Sequence, residues 1–237
     1  MTDSAQRIEV TVAAPAETVW HALRDKEIIR NWHGWDYDGL DEEIELIYFT
    51  EVEEDADART LGVQGGDLVK LEDDGDNTRV TLTRAPRGSN PEWDAYHGEI
   101  TEGWITFLHQ LKFAIERQPG APRRTLYFAG SNESGRDVVG ALELPDGPTI
   151  DTSLVGEHVK GEVWFRSEHQ LGITVGAWGD GLLVVAGTGP TDDNPEGGAS
   201  AILSTYGLDD ERLEELRERW TPWWASLFPA VDEFPAE

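Results

Sequence analysis

The 237-residue sequence contains no cysteine. Disulfide bonds, thiol catalysis and cysteine-held zinc or iron–sulfur sites are therefore excluded. The sequence also lacks a run of about 18 apolar residues, which a membrane-spanning helix needs. Its first residues, MTDSAQRIEV, contain no apolar stretch of the kind found in secretory signals. Together these features predict a soluble protein of the cytoplasm.

Basic residues are scarce, because 19 Lys and Arg stand against 47 Asp and Glu, which leaves a net charge of -28. The acidic excess extends over both halves of the chain and is not confined to a tail. Such a surface repels phosphate groups, so we predict no nucleic acid and no membrane as a partner. An acid-rich composition with few lysines suggests a bacterial source, either saline or of high GC content.

The chain is long enough for two domains, and its apolar residues, 38% of the total with 10 Trp, are enough for a buried core. The clearest joint is the segment RQPGAPRR, in which two prolines and a glycine break any helix. We predict a domain boundary there, with one domain over residues 1–118 and another over residues 119–237.

The order of elements predicts an α+β fold. In the first half, alternating apolar residues in RIEVTVAAP indicate a strand, and Pro15 suits the first turn of a helix over PAETVWHALRD. Further strands are predicted before a long amphipathic helix, which favours a helix lying across an antiparallel sheet. Those strands are in EIELIYFTEVE, ARTLGVQ, DLVKLED and TRVTLTRA, and the helix is in EITEGWITFLHQLKFAIERQ.

The second half repeats this order loosely. RRTLYFAG is predicted as a strand and ESGRDVVGALEL as a short helix, with further strands after them. The last element is a long helix over LDDERLEELRERWTPWWASLF, in which Pro222 is expected to kink or restart the helix. We therefore predict two related α+β units in tandem, although residue identity between the halves is weak.

Three segments of the first half carry a family resemblance. VTVAAPAETVWHALRDKEIIRNWHGW, DNTRVTLTRA and EGWITFLHQLKFAIE resemble the START-like, or SRPBCC, superfamily, and within it the family named for activators of the heat-shock protein 90 ATPase. His33 stands where many members have a tryptophan, and Asn77 where glycine is usual. The resemblance implies a helix-grip fold, an antiparallel sheet gripping a long C-terminal helix with a cavity between them.

The fragment RNWHGWDYDG follows the first helix and, by this resemblance, helps to close the cavity. Its tryptophans can be core residues or pocket wall. A metal site at His33, Asp36 and Asp38 is a third possibility, which the spacing does not suggest. We predict no metal site.

By the same resemblance, the cavity lining is predicted from the aromatic and aliphatic side chains of the first half. Tyr48 and Phe49 are neighbours on a predicted strand, so only one of them can point inward. A large apolar pocket with few polar groups suits a small hydrophobic or aromatic ligand, unless the side chains simply fill the interior. The predicted ligand-binding residues are Trp32, Trp35, Tyr48, Trp104, Phe107, Leu108 and Leu111.

Other chemistry finds little support in the sequence. No pair among the six histidines has a metal-ligand spacing, and there is no H-E-x-x-H motif. No serine lies in a G-x-S-x-G elbow, and neither GVQGG nor GTGP fits a phosphate loop. The acidic runs lack the EF-hand spacing. We predict no cofactor and no catalytic residue.

Three functions stay open. The first is a binding protein for a small hydrophobic ligand, with its physiological role unspecified. The second is a non-enzymatic co-chaperone-like or dimerising protein, which would use RWTPWWASLFP to form a homodimer or bind a partner. Trp223 and Trp224 are adjacent and cannot share one helix face, which would leave one exposed. The third is an enzyme, because some START-like relatives catalyse cyclisation or dehydration in the cavity, although no acid/base constellation supports it here.

Overall fold

The structure, a computed structural model, describes residues 6–89, 96–145, 147–190 and 195–230. The chain divides into two compact units, Met1–Pro122 and Arg123–Glu237. Each unit contains an antiparallel sheet followed by a long helix. The α+β class predicted from the sequence is therefore confirmed.

The first unit has five strands and four helices among its described residues. In chain order these are β1 (Arg7–Val12), α1 (Ala16–Arg24), α2 (Lys26–Arg30), α3 (Leu40–Tyr48), β2 (Glu53–Asp55), β3 (Thr60–Gly62), β4 (Leu68–Asp74), β5 (Asn77–Thr83) and α4 (His97–Arg117). The strand order in the sheet is β1-β5-β4-β3-β2, and every neighbouring pair is antiparallel. The first strand thus lies at an edge and pairs with the last strand.

The core of the first unit lies between this sheet and α4. Trp104, Leu108 and Leu111 recur at helical spacing on α4, and all three are buried. They belong to the same hydrophobic cluster as Val10 on β1 and Val80 on β5. The alternation of β1 and the stripe of α4 are both as the sequence predicts, since each element buries one face.

The segment EIELIYFTEVE is mainly a helix, so its prediction as a strand is wrong. Helix α3 buries Leu40, Ile44 and Tyr48, which are spaced four residues apart and therefore share one helix face. Its first turn carries acidic residues, which the positive end of the helix dipole favours. Strand alternation consequently does not separate Tyr48 from Phe49, because Tyr48 ends the helix.

A buried ion pair joins the sheet to the start of α4. Arg84 Nε lies 3.0 Å from Asp67 Oδ2, and the side chains of both residues are only 5% exposed. Arg84 Nη1 also donates to Thr101 Oγ1 on α4 at 2.7 Å, and the Ala85 N–H donates to Asp67 Oδ1 at 2.8 Å. The pair is therefore hydrogen-bonded on both sides, as a buried pair must be.

The second unit repeats the strand arrangement of the first with one more strand. In chain order its elements are β6 (Arg123–Gly130), β7 (Thr149–Leu154), β8 (Glu157–Arg166), β9 (Gln170–Val175), β10 (Gly181–Thr188), β11 (Gly198–Tyr206) and α5 (Asp210–Leu227). The strand order is β6-β11-β10-β9-β8-β7, all antiparallel. Here too the first strand pairs with the last and a long helix follows.

For this unit one sequence prediction is wrong, and one of the two alternatives for Pro222 is ruled out. ESGRDVVGALEL forms only a 3-10 turn at Gly140–Leu142, which ends at Glu143 in a left-handed conformation (φ 49°). Glycine disfavours helix and Glu143 cannot continue one. Helix α5 contains Pro222 and runs as a single element, so it is not restarted there. Strand β7 was not predicted.

The β7–β8 hairpin turn places a strained valine at Val155. Its φ is 49°, and Gly156 after it has a φ of 73°. Positive φ at both central residues is the type I′ pattern, which favours Asn-Gly, whereas a β-branched residue is disfavoured there.

The substitution V155N is therefore expected to raise the free energy of unfolding by about 1 kcal/mol, measured by urea denaturation. Asp180 also has a positive φ, 54°, but Asp tolerates it, so D180N should change little. Equal values for the two variants would show that Val155 stores no strain.

Candidate functional site

The side chain of His33 is completely buried among aromatic rings of the first unit. The centroid of its ring lies 4.4 Å from that of Phe107, 5.2 Å from Tyr48, 5.8 Å from Trp32 and 6.4 Å from Trp104. Most of these contacts are edge-to-face, the arrangement that aromatic rings prefer. A histidine thus occupies the centre of an aromatic cluster drawn from three parts of the chain.

The turn after α2 positions Trp32 and His33. Asp25 caps α2 by accepting hydrogen bonds from the Glu27 and Ile28 N–H groups. At the other end, the N–H groups of Trp32 and His33 donate to the carbonyl oxygen of Ile29. The indole Nε1 of Trp32 donates to the carbonyl of Ala22 on α1 at 2.9 Å, which anchors the turn to α1.

A chain of polar groups leads from the cluster to the surface. Tyr48 Oη lies 2.9 Å from His33 Nδ1, and His33 Nε2 lies 3.5 Å from Glu43 Oε1, an ion-pair distance that is long for a hydrogen bond. Tyr37 Oη donates to the other Glu43 oxygen at 2.7 Å. Helix α3 supplies both Glu43 and Tyr48, so it carries two members of the chain.

The electrostatics of the site keep the Tyr48 hydroxyl protonated and the Glu43 carboxyl group ionised. Burial, together with the charge of Glu43, raises the pKa of Tyr48 well above its ordinary value, so its hydroxyl stays protonated. Burial opposes ionisation of Glu43, but the interactions with His33 and Tyr37 outweigh it and lower the Glu43 pKa. When His33 is neutral, the protonated Tyr48 hydroxyl can donate to Nδ1, which places the imidazole proton on Nε2, towards the Glu43 carboxylate.

The structure brings most of the predicted lining residues together. Trp32, Tyr48 and Trp104 are buried around His33, and Phe107 is half-buried against it. Leu108 and Leu111 are buried in the same hydrophobic core. Trp35 is half-buried at the edge, where its ring lies 6.2 Å from that of Tyr37.

Three members of the polar chain, His33, Glu43 and Tyr37, were not predicted as site residues. The one available signal was His33 itself, because it replaces a tryptophan of the family pattern. Glu43 gives no such signal, because its segment is predicted as a strand and only the helix brings its carboxylate to His33.

The other histidines lie outside this cluster. His97 Nε2 is 3.2 Å from the Ala85 carbonyl oxygen. His21 and His158 are largely exposed and His169 is half-buried, each beside a carboxylate. Burial and then Lys112 lower the pKa of His109 to about 4, so it is neutral at pH 7. Within the described stretches of chain, His, Asp and Glu nowhere gather in threes as metal ligands.

The second unit has its own aromatic core, on α5. The ring of Trp220 stacks on Phe128 at 5.9 Å and meets Trp178 edge-on at 6.0 Å. Trp224 is buried, and Trp223 is half-buried with its ring 5.3 Å from that of Trp220. A homodimer through this segment stays a prediction.

A buried carboxylate organises the start of α5. Trp178 Nε1 donates to Glu157 Oε2 at 3.0 Å, and Arg212 on α5 pairs with the other Glu157 oxygen. The carboxylate therefore joins the first residue of β8 to the first turn of α5.

These features define an α+β protein of two units, the first of which holds a buried histidine among aromatic rings. In the part of the chain that the structure describes, no helix is both long and apolar enough to cross a membrane.

Comparison with known proteins gives no family. No protein-family model matches the sequence and no curated protein matches it.

Among solved structures, the chain is similar to DynU16 from the dynemicin biosynthetic locus, with a TM-score of 0.36 and 18% identity over 95% of this chain and 97% of that one. It is also similar to BexL, a di-domain ARO/CYC from the BE-7585A biosynthetic pathway, with a TM-score of 0.37 and 13% identity over 96% and 99% of the two chains. For StfQ, a di-domain ARO/CYC from the steffimycin biosynthetic pathway, the TM-score is 0.33 and the identity 14%, over 90% and 88%. Likeness at this level does not define a family for this chain.

Proposed function

We propose that the chain is a tandem of two helix-grip domains, residues 1–118 and 119–237, and that the first binds a small hydrophobic or aromatic ligand between its sheet and α4. The matching strand arrangement supports the tandem, because in both units the first strand pairs with the last and a long helix follows. The aromatic cluster around His33 is the observation that carries the binding proposal.

The composition of this cluster favours a mainly apolar, aromatic ligand. Trp32, Trp104 and Phe107 offer ring faces and edges, while His33 and Tyr48 supply the polar atoms. Binding sites for small molecules have this character, with apolar walls and few polar groups that fix orientation. The net charge of -28 disfavours an anion.

Phe107 is the part of the cluster suited to admit the ligand. It is half-buried, whereas His33 beneath it is fully buried, and their ring centroids are 4.4 Å apart. In this proposal, Phe107 is the wall that the ligand displaces or covers.

Native mass spectrometry of the purified protein, followed by denaturing extraction, tests the proposal. We expect a small aromatic molecule to accompany the native protein, and W104A to lose it or bind it at least about tenfold more weakly, since a ring contact is lost. Circular dichroism would establish that W104A is folded. F107L, which changes a half-buried position, serves where W104A does not fold.

The matched control is W20A, which removes a half-buried tryptophan of α1 that is not among the predicted lining residues. This variant should keep the ligand. A ligand-free native protein, or folded W104A and F107L variants with wild-type affinity, would contradict binding at this site.

A further inference from the structure

A second feature that points to a ligand lies in the other unit, at Trp224 of α5. Leu213, Leu216, Trp220 and Trp224 recur at helical spacing, and all four are buried on the helix face that packs in the core of the second unit. Trp224 therefore belongs to the interior of this unit, not to its surface.

The indole N–H of Trp224 is buried and has no acceptor among the described residues. The residue as a whole is only 3% exposed. Two other buried tryptophans are satisfied, since Trp32 donates to a carbonyl oxygen and Trp178 to a carboxylate. Tryptophan N–H groups usually find a partner when buried, because an unpaired donor there is unfavourable.

Aromatic side chains adjoin this donor. The Trp224 ring lies 4.7 Å from the ring of Phe228 and 6.2 Å from that of Trp223. A buried water needs two to four polar partners, and Trp224 offers a single donor within a cluster of apolar side chains. An acceptor that arrives as part of a mainly apolar molecule satisfies the donor better than water does.

We propose that the second unit binds an uncharged, planar aromatic molecule carrying a hydrogen-bond acceptor such as a carbonyl oxygen, and that Trp224 Nε1 donates to this oxygen. The neighbouring rings of Trp223 and Phe228 suit the planar part of the molecule. A charged ligand is disfavoured, because an unpaired charge in an apolar core is costly. The net charge of -28 adds repulsion against an anion. The site does not depend on ligand binding by the first unit.

The test uses two fluorescent probes on the full chain. Prodan is a neutral naphthalene with a ketone, and 2-dimethylaminonaphthalene is the same ring system without it. We expect W224F to raise the dissociation constant for prodan about tenfold, because the variant keeps an aromatic side chain but has no indole N–H to donate. The affinity for 2-dimethylaminonaphthalene should stay within about twofold of the wild-type value.

W20F is the control variant, because it makes the same Trp-to-Phe change at a half-buried position of the first unit and should leave both affinities unchanged. The effect of W224F should also persist in the F107L background, which separates this site from that of the first unit. No saturable prodan binding, or a W224F effect that is zero or equal for both probes, would overturn the proposal. If W224F does not fold, the Trp224 indole N–H resonance of the wild-type protein should move further downfield with prodan than with 2-dimethylaminonaphthalene, and equal shifts with the two probes would overturn the proposal equally.

Discussion

The variant R84A is expected to lose about 3–5 kcal/mol of the free energy of unfolding of the first unit. The substitution leaves the Asp67 carboxylate buried without its cation, since the side chains of both residues are only 5% exposed. It also removes the hydrogen bond from Arg84 to Thr101, which ties α4 to the sheet. Chemical denaturation followed by tryptophan fluorescence measures the loss.

The matched control for this prediction is R79A on β5. Arg79 pairs with Asp74 at 3.3 Å, but both side chains are about half exposed, so the loss should be below about 1 kcal/mol. The double variant D67L/R84M removes both buried charges and should regain most of the stability lost in R84A. If R84A is no less stable than R79A, the buried pair does not hold α4 on the sheet.

The variant W32A is the second with a large expected effect, about 3–5 kcal/mol of destabilisation. Trp32 is fully buried, its ring centroid lies 5.7 Å from that of Tyr48, and its Nε1 anchors the turn after α2 to Ala22. The substitution leaves a large cavity and removes the hydrogen bond together. Equilibrium unfolding in guanidinium chloride, compared with the wild-type protein, measures the change.

W32F keeps one six-membered aromatic ring and loses the five-membered ring with its N–H, so it leaves a smaller cavity than W32A. Its expected cost is about 1–3 kcal/mol, the penalty for leaving the buried Ala22 carbonyl unsatisfied. The half-buried Trp20 is again a suitable control, and W20A should cost less than W32A. A W32A variant as stable as W20A would show that Trp32 is a replaceable pocket wall and not part of the core.

Much of the first unit was predictable, because the spacing of apolar residues in each segment indicates a strand or a helix. The alternation in β1 and the apolar stripe of α4 are local patterns that do not depend on the rest of the chain. Six of the seven predicted lining residues lie in or against one hydrophobic core, and four of the six are on the apolar stripe of α4. The lining of an open pocket stays a prediction.

Helix α3 is a segment whose local sequence pattern does not decide between a strand and a helix. Its residues EIELIY alternate apolar and polar side chains as a strand does, but Leu40, Ile44 and Tyr48 also fall on one helix face. Packing of that face decides between two periods that the sequence supports about equally well. Formation of the helix determines the contacts of His33, because only the helix places Glu43 and Tyr48 on either side of it.

The sequence by itself determined the α+β class, the acidic surface and the main apolar faces, since these depend on composition and on neighbours along the chain. The tertiary structure alone decided that His33 meets Tyr48, that Arg84 meets Asp67, and that the buried Trp224 N–H has no acceptor among the described residues. Each of these is a relation between specific atoms, set by where side chains lie in space. Such relations arise only when the sheet and the helices pack, so no local pattern in the chain contains them.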